Sequence, residues 1–127
     1  LIGRGYNKQK EYDKTIDSCQ KAIGSDPKYI PVWDGLGITY LFANEYVNAL
    51  HCYKDAMKIN SNNTRLMTGM GNVYYKMEHY DETIKCYRRI VELSPDDKIA
   101  WRKLGTVYDK INKIDQAIRC YKNSAKT

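Results

Sequence analysis

Residues 33–53 read WDGLGITYLFANEYVNALHCY, and what recurs around them decides the fold. Val32, Trp33, Leu36, Tyr40 and Leu41 fall at helical spacing, and Pro31 ahead of them is tolerated in a first turn, where its missing N–H would have no intrahelical partner. Tyr46, Ala49, Leu50, Tyr53, Ala56 and Met57 form a second apolar stripe. Asn44 and Glu45 leave room only for a tight turn between the two, so the stretch predicts a helical hairpin.

The hairpin repeats along the chain. Tyr6, Tyr40, Tyr74 and Tyr108 lie 34 residues apart, as do Tyr12, Tyr46 and Tyr80, and also Tyr53, Tyr87 and Tyr121, so ten of the twelve tyrosines occupy three registers. Gly3, Gly37, Gly71 and Gly105 keep the same period, as do Cys52, Cys86 and Cys120, and Trp33 and Trp101 with Met67 between. A single array over 1–127 follows, with repeats at about 1–29 (truncated), 30–63, 64–97 and 98–127. If the opening fragment Leu1 to Lys8 is counted as a helix, eight helices are expected. Stripes on both faces cannot be buried by one hairpin alone, so each repeat must stack on the next in an all-α solenoid of antiparallel helix pairs. Gly37, Gly71 and Gly105 sit inside helices, where Gly costs about 1 kcal/mol against Ala, and this predicts close approach of a neighbouring helix. Tyr40, Tyr74 and Tyr108 are expected to be largely buried.

These residues give the chain its resemblance to the tetratricopeptide repeat, whose pattern runs W-x2-L-G-x2-Y, A-x3-F, P. Trp33, Leu36, Gly37, Tyr40, Ala49 and Tyr53 follow it, with Ser61 at the proline place; Trp101, Leu104, Gly105, Tyr108, Ala117 and Tyr121 repeat it. Met67, Met70, Gly71, Tyr74, Thr83, Tyr87 and Pro95 are a looser copy, and the first repeat keeps Ile2, Gly3, Tyr6, Thr15, Cys19, Ala22 and Pro27. The resemblance implies a right-handed α-α superhelix in which the first helix of each repeat lines a concave groove. By register, the groove residues it implies are Arg4, Asn7 and Lys8; Asp34, Ile38, Leu41 and Phe42; Arg65, Thr68, Asn72, Tyr75 and Lys76; and Arg102, Thr106, Asp109 and Lys110. Six cations stand there against two anions, with an aliphatic and aromatic patch at Ile38, Leu41, Phe42 and Tyr75. The chaperone-carboxylate clamp of some family members is absent, because Asp34, Ile38, Gly69, Ile99 and Lys103 stand at its places. The asparagine ladder of other arrays is absent too, its places reading Leu1, Gly35, Gly69 and Lys103.

Composition narrows the function classes. The net charge is +6, and cutting at 29, 63 and 97 distributes it as +2, −1, −1 and +6. A nucleic-acid binder needs cations along its whole contact surface, each neutralised phosphate adding a counterion-release term, and the middle of this chain is mildly acidic. An RNA-binding helical-repeat module therefore stands second to a protein-binding one, since the repeat carrying Asp34, Ile38 and Leu41 offers no basic or stacking set. No apolar run approaches the roughly 18 residues of a membrane span, and no signal-peptide pattern opens the chain. Leu1 rather than Met points to a piece of a longer chain.

The chemistry-bearing side chains do not gather into a site. Cys52, Cys86 and Cys120 hold one place in successive repeats, and stacked helices lie about 8 to 10 Å apart, too far for a shared zinc or a disulfide. Unpaired thiols point to a reducing, intracellular compartment, the cytoplasm first, and discount the Asn62-Asn63-Thr64 sequon. His51 adjoins Cys52, but neighbours on a helix point about 100° apart, so they do not face each other as a nucleophile and its base must. Paired glycines such as Gly35 and Gly37 lack the third glycine and the preceding strand of a dinucleotide loop. The expectation is a scaffold with no catalytic residue, metal or cofactor, binding an acidic or amphipathic peptide or a partner domain in the groove. Ile118, Tyr121 and Ala125 are left without a following repeat, which predicts further repeats, a capping helix or end-to-end contact between copies.

Overall fold

The computed structural model describes residues 2–126, with side chains over 8–126. The described residues form seven helices and no strand: α1 (Ile2–Ser25), α2 (Ile30–Phe42), α3 (Tyr46–Met57), α4 (Thr64–Lys76), α5 (Tyr80–Leu93), α6 (Lys98–Lys110) and α7 (Ile114–Ala125). They divide into two compact units, Leu1–Ser61 with α1 to α3 and Asn62–Thr127 with α4 to α7. Among the described residues no helix is long and apolar enough to cross a membrane.

The helices α2, α4 and α6 start 34 residues apart and stop by the same device. Asn44, Glu78 and Asn112, again 34 apart, hold φ of 63°, 61° and 62°. Beside each, the amide of the next residue closes onto the register tyrosine: Glu45 donates to the Tyr40 carbonyl at 2.8 Å, His79 to Tyr74 at 2.9 Å and Lys113 to Tyr108 at 2.8 Å. This is the six-to-one closure that satisfies the orphan carbonyls at a helix C-terminus, and it reverses the chain within three residues. At the other ends, Asn63 accepts from the Leu66 amide and Asp97 from the Ala100 amide, capping α4 and α6. α2 starts with Pro31 in its first turn instead.

The first repeat departs from the expected eight helices. α1 runs without interruption through the place equivalent to Asn44, so Leu1 to Lys8 is not a separate helix. Gln9, Lys10 and Glu11 occupy that place; all three favour helix and none favours a left-handed backbone. The Gln9 amide donates to Asp13 Oδ1 at 3.0 Å, one helical turn along the same face.

Within each unit the core forms where a first helix meets the second helix of its hairpin. In the N-terminal unit Leu36, Ala49, Tyr53 and Ala56 are buried; in the C-terminal unit Leu66, Val73, Tyr87, Ile90, Leu104 and Val107 are. The internal glycines are contact points: the ring of Tyr53 fills the space a Cβ on Gly37 would need, and such a Cβ on Gly71 or Gly105 would lie 3.0 Å from Tyr87 or 2.8 Å from Tyr121. Trp33 and Trp101 donate their indole N–H to the carbonyls of Pro27 at 2.8 Å and Pro95 at 2.7 Å, tying each helix to the loop that enters it. Tyr74 is buried as expected, but Tyr40 and Tyr108 are only half-buried. The Tyr40 hydroxyl accepts from the Gln20 side chain at 3.3 Å.

Candidate protein-binding surface

In the N-terminal unit the surface is carried by α2. Gly35, Ile38, Leu41 and Phe42 recur every three or four residues and share one side of the helix. Ile38 is 39% exposed and Phe42 65%, while Leu41 is half-buried. A Cβ on Gly35 would meet nothing within 4 Å, so open space continues past Ile38 toward the helix start. Lys8 is exposed on α1, whereas the side chains of Arg4 and Asn7 lie outside the described residues.

Asp34 does not belong to this surface. It is 5% exposed, and the Tyr53 hydroxyl donates to its Oδ1 at 3.2 Å. The cause is Gly37: because Tyr53 lies flat over that glycine, its hydroxyl ends in the dry seam between α2 and α3 and needs an acceptor there.

In the C-terminal unit α4 and α6 each present a polar face. On α4, Arg65 and Lys76 are exposed, Thr68 is half-buried with its hydroxyl returned to the Thr64 carbonyl at 2.9 Å, and Tyr75 stands edge-on to Tyr80 with ring centres 5.7 Å apart. On α6, Arg102, Asp109 and Lys110 are exposed, and Thr106 donates back to the Arg102 carbonyl at 3.0 Å. The two threonines satisfy their own helices, which leaves the charged side chains to give these faces their character. Four cations, Arg65, Lys76, Arg102 and Lys110, accompany the single anion Asp109.

Asn72 links three helices. Its Oδ1 accepts from the Tyr87 hydroxyl of α5 and from the Lys103 ammonium of α6 at 3.2 Å, and that ammonium lies 5.9 Å from the centre of the Tyr87 ring. Lys103 holds a clamp and ladder place by register but is not among the groove residues that the resemblance implies. Partial burial pulls its pKa below the ordinary lysine value, helped by the neighbouring Arg102 charge and opposed by Asp97. A signal existed in the sequence: a tyrosine packed over a glycine needs an acceptor close to that glycine, and Asn72 adjoins Gly71 as Asp34 stands one turn before Gly37.

The thiols are packing groups. All four cysteines are unpaired. The Cys52 thiol donates to the Trp33 carbonyl at 3.2 Å, and burial pushes its pKa up to about 12 and that of Cys86 up to about 11, so both are protonated at neutral pH. His51 and His79 are exposed, and the imidazole of His79 stacks on Tyr74 with centres 6.3 Å apart. On another side of the C-terminal unit, Arg88, Val91, Leu104, Tyr108 and Arg119 line a cavity of about 350 Å³ between α5, α6 and α7.

Residues 65–97, which hold α4 almost entire and all of α5, match the family model of the tetratricopeptide repeat. Over 66 residues the chain is 33% identical to an N-terminal acetyltransferase A complex subunit-like protein of Schizosaccharomyces pombe, a match covering 52% of this chain and 10% of that one. The chain thus spans about a tenth of the length of that relative. A crystal structure of MamA superposes with a TM-score of 0.80 at 22% identity, covering 98% of this chain and 72% of the other. A second MamA crystal structure gives 0.78 at 23% identity, with 94% and 67% covered. At these identities the likeness is one of fold, a helical repeat followed over nearly all of the described residues.

Proposed function

The chain belongs to the tetratricopeptide-repeat family, whose members are protein-interaction scaffolds, and from that premise we propose that its first-helix faces bind a protein partner through an acidic, amphipathic segment, with no chemistry of their own. The observation that carries the reading is the charge on the α4 and α6 faces of the C-terminal unit, where Lys76, Arg102 and Lys110 are exposed beside the single anion Asp109. Exposed cations at this density attract an acidic segment and raise its rate of encounter. The half-buried Tyr75, its ring already held by Tyr80, supplies an apolar anchor at low entropic cost. In the N-terminal unit Phe42 and Ile38 form a second, apolar contact of the kind that marks binding surfaces. The closed hydrogen bonds of Thr68 and Thr106 leave these two residues as lining and not as contacts.

The test is titration of the 127-residue chain with a labelled peptide alternating Glu with Leu and Phe, and with its Lys-for-Glu counterpart, across a range of salt. The acidic peptide is expected to bind at least ten times more tightly than the basic one. Lys76→Ala, Arg102→Ala and Lys110→Ala together should remove most of that preference and flatten its salt dependence. Equal binding of the two peptides, or an unchanged salt dependence in the triple variant, overturns the reading.

A further inference from the structure

The cavity between α5, α6 and α7 holds two arginines without a hydrogen-bonded partner. Arg88 of α5 and Arg119 of α7 line it, and among the described residues neither forms an ion pair or a hydrogen bond, although Glu92 stands one helical turn along α5 from Arg88. Burial raises the pKa of the Cys120 thiol and the Arg88 charge opposes that rise, so the guanidinium acts across the cavity on α7. Buried Val91 and Leu104 and half-buried Trp101 and Tyr108 make the rest of the wall apolar. The same register in the N-terminal unit is built differently. There Gln20 and Tyr40 hold the places of Arg88 and Tyr108 and are joined by a hydrogen bond of 3.3 Å, while His51 and Asp55 stand at the places of Arg119 and Asn123. The arginine pair is therefore a property of the C-terminal unit and not of the repeat.

On α7, Gln116, Arg119, Cys120 and Asn123 face the cavity, and the stripe of Ile114, Ile118 and Tyr121 that a following repeat would cover lies on the opposite side of the helix. On α6, Trp101, Leu104 and Tyr108 face it, opposite Arg102, Thr106 and Asp109. The cavity is thus separate from both the stacking surface and the first-helix faces. Its lining selects an occupant. Two planar guanidinium forks on neighbouring helices suit a phosphoryl dianion, whose three oxygens accept from both, better than a single carboxylate. Trp101 and Tyr108 offer an apolar wall to a ring. At about 350 Å³ the cavity is at the small end for ligand sites and has room for one ring with its phosphate. Glu92, the one carboxylate in the lining, opposes further negative charge and so disfavours nucleotides and polyphosphates. Past Trp101 and Asn123 the surface continues into a depression lined by Pro95, Asp96, Lys98 and Lys126, which gives the chain flanking such a residue a place to lie. We propose that the cavity between α5, α6 and α7 binds a phosphorylated tyrosine of a protein partner, with Arg88 and Arg119 on the phosphate and Trp101 and Tyr108 on the ring.

The experiment titrates the 127-residue chain, by fluorescence anisotropy, with a labelled peptide holding one phosphotyrosine among Gly, Ala and Ser, and with its tyrosine and phosphoserine counterparts. The phosphotyrosine peptide should bind at least tenfold more tightly than either. Inorganic phosphate should displace it only at concentrations at least a hundredfold above that of the unlabelled phosphopeptide. Arg88→Gln and Arg119→Gln should each weaken binding at least tenfold with helicity and thermal midpoint unchanged, since both side chains are exposed. Lys76→Ala with Arg102→Ala and Lys110→Ala should weaken it less than threefold, so that failure at this cavity and failure at the first-helix faces are read separately. A phosphotyrosine peptide that binds no better than its tyrosine counterpart, or binding that survives both arginine changes, overturns the proposal. So does equal binding of the phosphoserine peptide, or displacement by inorganic phosphate at the concentration of the peptide, because the site would then hold an anion with no place for the ring.

Discussion

Lys103 of α6 donates to Asn72 of α4 at 3.2 Å, and this bond joins two first helices through a side chain that also receives the Tyr87 hydroxyl. Asn72 is therefore a structural residue as well as a candidate contact. Asn72→Ala strands a buried hydroxyl and a partly buried ammonium, and it should cost about 1 to 3 kcal/mol of unfolding free energy. Adding Tyr87→Phe should recover part of that loss, because the stranded hydroxyl goes with it. Urea denaturation of the two singles and the double checks this; strictly additive losses would mean that the Tyr87 hydroxyl does not depend on Asn72.

The turn at Glu78 offers a stabilising change. Asn44 and Asn112 hold the left-handed conformation with a side chain that tolerates it, while Glu78 holds φ 61° in the same register. Glu78→Asn should raise stability by about 0.5 to 1 kcal/mol and Glu78→Gly by a similar amount, offset by Gly's larger unfolded-state entropy. Differential scanning calorimetry would show a higher midpoint for both; a lower midpoint for Glu78→Asn would mean that the exposed carboxylate holds an interaction worth more than the strain.

Two glycines in one turn of α2 should respond with opposite sign. At Gly35 a Cβ meets nothing within 4 Å, so Gly35→Ala should stabilise by about 0.5 to 1 kcal/mol through helix propensity alone. At Gly37 the Cβ would displace the ring of Tyr53, whose hydroxyl is held by Asp34, and Gly37→Ala should cost about 1 to 3 kcal/mol. Gly105→Ala should be milder, since its neighbour Tyr121 is partly exposed and has room to move. Chemical denaturation of the three variants orders them, and an equal loss at Gly35 and Gly37 would contradict the contact geometry.

The difference between those glycines also marks how far the sequence could be read. A 34-residue period locates helix starts and turns, because the residues that stop a helix and the aromatics that pack on it must recur with it. It predicts close approach at Gly37, Gly71 and Gly105 for the same reason, and the tyrosine rings lie there. Periodicity describes what the repeats share, and it is silent where one repeat differs. Gln9, Lys10 and Glu11 continue α1 through a place where the other repeats turn, since local propensity there has nothing to oppose it. The resemblance puts Asp34 on the open face with Thr68 and Arg102, and the buried hydroxyl of Tyr53, which needs an acceptor, makes it the exception. Lys103 stands outside the implied groove set because its bond to Asn72 spans one repeat less one helical turn, a separation that a 34-residue period does not connect.

Alkaline pH should destabilise the chain through its thiols. Burial raises the folded pKa of Cys52 from 9.0 to about 12, and that of Cys86 to about 11, while the unfolded thiols titrate near 9. Between those values the folded state binds more protons than the unfolded one, so unfolding free energy falls as pH rises. The stabilisation is complete below pH 9 and is lost above it, at a rate approaching about 1.4 kcal/mol per pH unit for one fully shifted group. Cys52→Ala removes one such group. At pH 7 it should cost only the small cavity and the hydrogen bond to Trp33, about 1 kcal/mol, since Ala is a good helix former. Above pH 9 its stability should fall less steeply than that of the parent chain, so the two curves converge and the penalty at pH 7 shrinks by pH 10.5. Lysine and tyrosine titration affects both proteins alike and cancels in the difference. Urea unfolding at intervals from pH 7 to 10.5 measures it, and parallel curves would show that the Cys52 thiolate is no more excluded from the folded chain than from the unfolded one.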